Sequence, residues 1–389
     1  MASIYENAQI TLAGEPSDHS QGLFHGCRDY TSLDIPGLHG DSEVPFVEMR
    51  RRLKSRLDCH LLSRGWVFQE IQLSRRYVYF APNEIVWDCF SESWCECGGV
   101  YESSGYVKIL PRIGENCDAN DQLLSWSGHD GIVERFTQLD LTKPEDRLPA
   151  LAGLASRYHF HNGNLTYAAG LWLEDLPSGG LFWTTRGKPA PRPKELFTPT
   201  WSWASVTTPV QFRFMSEHDQ LQIKVRELNV VTVEGGNPYG RLQKAHLLVE
   251  GVLGYGWLLG YRKNAAMFSD FAGLVRANGI DEIIPFAADY DFRAKSDYQV
   301  SMPCMVYFLF GYCTDLSNRP GRKVSKPYYP GGIVLREISQ EPFLFEKIGL
   351  FDAFTLASKE DDSVQFDIGE SYVKLLEKTG SRVTDIMII

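Results

Sequence analysis

The chain has 389 residues, 43% of them hydrophobic, 23% charged and 13% aromatic, an ordinary globular composition with material for about two domains. Its formal charge of -10 argues against a nucleic-acid binder, leaving room only for a local basic patch. No apolar run approaches the roughly 20 residues of a membrane span, and MASIYENAQITLAG lacks the charged start and apolar centre of a signal peptide. A cytoplasmic chain with no membrane span is therefore expected, with its eight cysteines reduced.

Ser3 to Leu12 reads as the end of a helix running into a strand. Residues 14–44 are rich in Gly, Pro, Ser and Asp and read as loop. From 46 to 76 the pattern predicts helix. Met49, Leu53, Leu57, Leu61 and Leu62 lie near one face, and Trp66, Gln69 or Glu70, and Leu73 continue the spacing. Tyr77 to Phe80 and Glu84 to Cys89 read as a hairpin around Ala81-Pro82-Asn83, and 91–125 as irregular. A short helix is predicted from 130 to 139 through Ile132, Val133, Phe136 and Leu139. Thr142-Lys143-Pro144-Glu145 fits a capping box opening the next helix, whose apolar face is Leu148, Leu151, Leu154 and Ala155.

After about residue 160 Gly, Pro, aromatic and β-branched residues dominate. LQIKVRELNVVTV (221–233), AHLLVEGVLGYGWL (245–258), MVYFLFGYC (305–313) and GGIVLREI (331–338) predict strands, and a late helix is predicted near 367–378. The expected fold class is α+β. A helix-rich α/β part over 1–160 is followed by a mostly antiparallel β part over 161–389, with the seam near 160–200.

The stretch RGWVFQEIQLSRRYVYF, Arg64 to Phe80, sets polar pairs among apolar residues. On a helix Trp66, Gln69, Glu70 and Leu73 share a face, whereas Arg64, Gln69 and Arg76 cannot all do so. Two readings stand. In one, Trp66 anchors a core, Glu70 pairs with an arginine and Gln69 satisfies buried backbone groups. In the other, Glu70 or Gln69 faces a pocket and polarises a ligand, which makes Glu70, Gln69 and Arg64 the candidate catalytic residues.

Cys59-His60, Cys89 and Cys95-Glu96-Cys97 are ligating residue types, but C-x-C is short for zinc and no second C-x-x-C exists, so free thiols are expected. His159 and His161, with His129 and Asp130, carry no stronger metal signal. No Gly-rich phosphate motif, G-x-S-x-G or H-E-x-x-H occurs, so no cofactor and no metal is expected.

Trp172, Phe182, Trp183, Trp201 and Trp203 cluster at the expected seam, as core or as an apolar pocket at a domain interface. The candidate substrate-binding residues are Trp66, Tyr167, Trp172, Trp201 and Trp203. Such a pocket would hold a small hydrophobic molecule with its reacting ends close together. One hydrogen bond to a carbonyl would then suffice for a pericyclic ring closure.

Several segments carry a family resemblance. They are Ile4-Tyr5-Glu6-Asn7-Ala8 with Ile10-Thr11-Leu12-Ala13; Arg64-Gly65-Trp66, Phe68-Gln69-Glu70 and Leu73-Ser74-Arg75; and Phe80 with Trp87-Asp88-Cys89. Downstream come Asp146-Arg147-Leu148-Pro149-Ala150-Leu151-Ala152-Gly153, Tyr167 with Ala169-Gly170-Leu171-Trp172, and Pro199-Thr200-Trp201-Ser202-Trp203-Ala204-Ser205. In this order, over residues 4–205, the chain resembles the fungal heterokaryon-incompatibility (HET) domain family. The resemblance implies a HET-like α/β domain, akin in its full form to Toll/interleukin-receptor domains, and a role in nonself recognition and cell death with a protein partner.

Typical members open with Ser-Tyr-x-Trp-Gly and Trp-Ile-Asp-x-x-Cys-Ile-x-Gln signatures, and neither occurs here. A truncated or shortened member is expected, without the early strands that build the family's ligand crevice. Two functions are therefore carried forward. One is a cofactor-independent cyclase of the pericyclase or Diels–Alderase type, acting on a hydrophobic terpenoid-like substrate in fungal natural-product biosynthesis. The other is HET-family nonself-recognition signalling.

Overall fold

The structure is a computed structural model that describes residues 2–14, 23, 30–33, 47–50, 59–81, 84–96, 126–194, 198–213, 215–216, 218–233, 235–263, 271–277, 283–294, 298–315, 328–340, 343–352, 377 and 383–389. It divides into two units, Met1–Asn116 with Leu139–Leu141, and Cys117–Gln138 with Thr142–Ile389. The class is α+β. The boundary expected near residue 160 falls inside the second unit, because the helices before it belong with the strands after it.

The first unit contains α1 (Ala2–Asn7), β1 (Thr11–Gly14), β2 (Tyr30–Leu33), β3 (Val47–Arg50), α2 (Gly65–Leu73), β4 (Arg76–Phe80), β5 (Ile85–Cys89) and β6 (Ser93–Cys95). Helix does not dominate its described residues. Its sheet runs β1-β4-β5-β6, with β1 and β4 parallel and the other pairs antiparallel. The expected β4–β5 hairpin is present; Pro82 and Asn83 lie outside the described residues. The long helix expected from 46 is not. Residues 47–50 pair with 30–33 instead, Leu61 and Leu62 sit in a turn at 59–63, and Leu53 and Leu57 lie outside the described residues. Periodicity cannot register a distant strand that outcompetes a local helix.

Helix α2 starts where Gly65 N–H donates to the Asp140 carbonyl at 2.8 Å, with no side-chain cap from Arg64. It ends at Ser74, whose hydroxyl donates to the Glu70 carbonyl and shares a 2.7 Å hydrogen bond with Thr11 of β1. Val67 and Ile71 join Cys59, Tyr77, Tyr79, Val86 and Cys95 in this unit's core. Alternation along β4 and β5 turns those strand residues inward.

The second unit opens with α3 (Ile132–Thr137), tied to later chain by Glu134, which accepts from Phe212 N–H at 2.6 Å. The helix expected to open at Thr142 begins only at α4 (Ala152–His161). Pro144 and Pro149 each start a separate 3-10 turn, Pro144–Asp146 and Pro149–Leu151, neither with a side-chain cap. A proline supplies no N–H to a helix that would run through it, so the chain advances in two tight turns first.

Short pairs follow, β7 (Tyr167–Ala168) with β8 (Leu171–Trp172) and β9 (Trp183–Thr185) with β10 (Val210–Phe212). Then come β11 (Asp219–Leu221), β12 (Lys224–Thr232), β13 (Leu242–Lys263), β14 (Phe271–Ala277), β15 (Ile283–Ala288), β16 (Cys304–Asp315), β17 (Tyr328–Gln340), β18 (Phe343–Asp352) and β19 (Val383–Ile388).

Their pairing closes on itself. β13 bonds β14, β14 bonds β15, β15 bonds β18, β18 bonds β17, β17 bonds β16, and β16 returns to β13, every pair antiparallel. This ring of strands is a small barrel. Each wall contributes to one buried cluster, with Leu258, Val275, Phe286, Ile348, Val334 and Phe308 coming from the six strands in turn. A barrel this narrow is filled by side chains. The 22-residue β13 is long enough to close the ring with one half and to bond β12 and β19 with the other.

The four strand segments expected after residue 220 are all present. The helix expected near 367–378 lies outside the described residues apart from Glu377. Among the described residues no helix is long and apolar enough to cross a membrane.

Candidate functional site

Three motif segments of the second unit meet at one turn. The β7–β8 connection is two residues long, Ala169 at φ 50° and Gly170 at φ 94°, both left-handed as a tight hairpin turn requires. The Gly170 carbonyl accepts the indole N–H of Trp126 at 2.9 Å and of Trp203 at 2.8 Å. Ser202 Oγ donates to the Ala169 carbonyl at 2.6 Å. A Cβ on Gly170 would stand 2.8 Å from Trp203 Nε1 and 2.9 Å from Leu148 Cδ2. The segments around Leu148, Gly170 and Trp203 therefore lock together, with no room for a side chain at the turn.

The seam tryptophans pack around this knot. Trp172, Phe182, Trp183, Trp201 and Trp203 are all 0% exposed. Trp172 stacks on Tyr158 at 5.2 Å and meets Trp126 at 5.4 Å and Tyr167 at 5.4 Å. Trp183 donates its indole N–H to the Trp201 carbonyl at 2.8 Å. Trp172, Trp201 and Trp203 are core residues, and only Tyr167 among the second unit's candidate binding residues is partly exposed.

The first unit holds the other candidates. Glu70 is partly exposed and accepts a hydrogen bond from Tyr5; burial raises its carboxyl pKa, against the lowering effects of Tyr5 and of the Arg64 charge. The Tyr5 hydroxyl is pushed up to about 12 by burial and by Glu70. Gln69 is buried, Trp66 partly exposed and Arg64 exposed. Glu70 thus sits in a polar network linking α1 to α2. Cys59 and Cys95 share that unit's core and Cys97 lies outside the described residues. Among the described residues no cluster of three or more His, Cys, Asp or Glu is placed to hold a metal ion.

A second buried network joins β18 to the segment after β9. The Lys347 ammonium donates to Asp289 at 2.6 Å and to the Trp183 carbonyl at 3.0 Å, and lies 3.5 Å from the Trp183 ring centroid. Arg192 donates to the Lys347 carbonyl at 2.9 Å and pairs with Glu346 at 3.4 Å. Burial pushes Lys347 down to about 8 and Asp289 upward, so desolvation opposes the charge on both. The 2.6 Å contact favours the ionised pair, while the nearby Arg192 charge favours ionised Asp289 and opposes the Lys347 ammonium. Both side chains are 0% exposed, which makes this a brace rather than a reaction centre.

The open site lies beside the two 3-10 turns, a cleft of about 820 Å³. Leu148, Val233 and Leu242 give it apolar walls, and Glu145, Lys194 and Arg241 stand in its lining. Arg241 is held by Asp146 at 2.9 Å. Arg147, also in the lining, is 4% exposed and lies 5.3 Å from the Trp203 ring centroid. Its Nη1 reaches the Thr207 carbonyl only at 3.5 Å, and its Nε and Nη2 have no hydrogen-bond partner. Burial pushes the guanidinium down to about 9, which leaves it charged at neutral pH.

Sequence reasoning passed over Arg147 as part of a structural motif. The signal was present all the same: a guanidinium directly before Leu148-Pro149-Ala150-Leu151-Ala152, a run that folds into the core. Compared with family models, with curated proteins and with solved structures, the chain matches none.

Proposed function

We propose that this protein is a cofactor-independent cyclase of the pericyclase or Diels–Alderase type. Its substrate is a hydrophobic terpenoid-like molecule of fungal natural-product biosynthesis. The first 160 residues are read as a partial HET-like domain, on the motif resemblance. That likeness extends, at family level only, to the norbornene-forming Diels–Alderase of sordaricin biosynthesis.

One observation carries the reading. The cleft pairs apolar walls, Leu148, Val233 and Leu242, with cationic side chains in its lining, Lys194, Arg241 and the nearly enclosed Arg147. A pericyclic closure makes its new σ bonds from π bonds already in the substrate. No atom leaves and no proton moves, so it needs no redox group or acid–base pair. It needs the flexible chain folded so that its ends meet, and anchoring one polar end in an apolar trough does that. The enclosed seam tryptophans back the cleft through Trp203, which lies under Arg147.

The test is incubation of the purified protein with a panel of polyenes bearing a diene and a dienophile, without added cofactors. Cyclised product is expected to form faster than in buffer, and more slowly when the cleft is narrowed by Val233→Trp. Rates equal to buffer across the panel would remove the reading. The alternative, nonself-recognition signalling through a protein partner, has in its favour the exposed Tyr255, Trp257 and Leu259 on β13, with exposed Met305 opposite Trp257.

A further inference from the structure

Strand β12 ends the large sheet. One of its edges bonds β13, and among the described residues no strand bonds the other. An open edge is a row of backbone N–H and C=O groups that another strand can join, and charges, bulges or prolines are the usual guards against it. The first half of β12 is guarded: Lys224, Arg226 and Glu227 are charged, and the register slips between Val225 and Glu227. The stretch Leu228-Asn229-Val230-Val231 is not. It has no charge and no proline, it lies on a regular ladder, and Val231 is 41% exposed.

The side chains of this stretch complement themselves. Leu228 stands opposite buried Leu247 and Val230 opposite Ala245, on the core face. Glu227, Asn229 and Val231 stand opposite Leu248, His246 and Lys244, on the other face. A second β12 laid antiparallel, with the two-fold axis at Asn229, sets Leu228 against Val230 twice, Glu227 against Val231 twice, and Asn229 against itself. Each pair keeps its face, apolar meets apolar on the core side, and no like charges oppose. An axis at Glu227 would oppose two carboxylates. One at Leu228 draws in the bulge at Arg226, and one at Val230 draws in the irregularity between Val231 and Thr232.

We infer that two copies of this chain pair antiparallel through β12, about Asn229, and so form one continuous sheet across a dimer. A two-fold contact uses the open edge of both copies, so assembly stops at two. The pairing is short, Glu227 to Val231 on each side, and a dissociation constant on the order of 10–100 µM suits so small a contact. The dimer neither requires nor excludes turnover in the cleft.

The test is sedimentation equilibrium of the full chain from about 1 to about 200 µM, a span set around that constant. The mass is expected to rise from that of one chain towards that of two. Val231→Glu sets a carboxylate against the partner's Glu227 at two places and should weaken the dimer about fivefold or more. Val231→Lys meets the same carboxylate with the opposite charge and should stay within about threefold of wild type. Glu227→Lys combined with Val231→Glu should restore the dimer to within about threefold. Inside one chain the preference runs the other way, because Val231 faces its own Lys244, so an effect on folding would favour glutamate over lysine. Trp257, 47% exposed on the barrel wall, supplies the control, and Trp257→Ser should leave the dimer intact. A chain that stays monomeric throughout the concentration range would overturn the inference. So would equal weakening by Val231→Glu and Val231→Lys, or a dimer lost in Trp257→Ser and kept in Val231→Glu.

Discussion

Gly170→Ala tests whether the motif segments owe their order to one crowded turn. The new methyl meets two costs. At φ 94° a residue with a Cβ is strained by about 1–2 kcal/mol. The methyl would also stand 2.8 Å from Trp203 Nε1 and 2.9 Å from Leu148 Cδ2, both in a closed core, and overpacking of this kind costs about 1–3 kcal/mol. Moving the turn to relieve the contact would stretch the hydrogen bonds that Gly170 accepts from Trp126 and Trp203. A total of about 2–5 kcal/mol is expected, a large share of the 5–15 kcal/mol that holds a typical domain. Two other glycines separate the terms. Gly187 has φ 83° with nothing within 4 Å of a built Cβ, so Gly187→Ala should show the strain alone, about 1–2 kcal/mol. Gly163 has open space and no left-handed φ, so Gly163→Ala should stay within about 0.5 kcal/mol of wild type. Urea unfolding followed by the fluorescence of the enclosed tryptophans reads all three as midpoint shifts at constant slope. If Gly170→Ala is no worse than Gly187→Ala, the contacts with Trp203 and Leu148 do not hold the motifs in place.

Asp175, buried and bonded to Ser127 and Ser178, is pushed up to about 6 by burial from an ordinary 3.8. Its folded-state pKa is the higher one, so its contribution is fully present below pH 4 and is lost as pH rises towards 6, by roughly 3 kcal/mol at most. Asp175→Asn should flatten that slope in urea midpoints taken from pH 4 to 7, and parallel profiles for wild type and variant would refute the assignment. For the Lys347–Asp289 pair, Asp289→Ala should cost about 3–5 kcal/mol, because it strands a buried ammonium. The double change Lys347→Met with Asp289→Leu should cost clearly less than the two single changes together; strict additivity in a double-mutant cycle would show that the pair is not coupled.

What the sequence discloses of the fold depends on how far apart the interacting residues lie. The β4–β5 hairpin and the strands at 245–258 and 305–313 are visible because alternation and β-branched residues act within a few positions. Closure of the barrel is not. It needs Leu258 to find Cys304 and Ala287 to find Leu350, pairings between segments each compatible with other neighbours. The stretch from 46 fails in the opposite direction: its helical spacing is real, but residues 47–50 pair with 30–33. The capping box at Thr142 fails locally, because Pro149 interrupts the helix it would start.

The site was hidden for a different reason. Trp172, Trp201 and Trp203 stand out in the sequence, yet an aromatic cluster looks the same whether it lines a pocket or fills a core, since both environments select apolar bulk. Burial decides between them only after folding, and here it enclosed all three. A polar atom discriminates better. A guanidinium placed in an apolar run must find acceptors or retain a penalty, so an arginine such as Arg147 asks a question that tryptophan does not. Glu70 asked the same question, and Tyr5 answers it from within the chain. For Arg147 the chain supplies one long contact to Thr207, and its Nε and Nη2 are closed in without an acceptor.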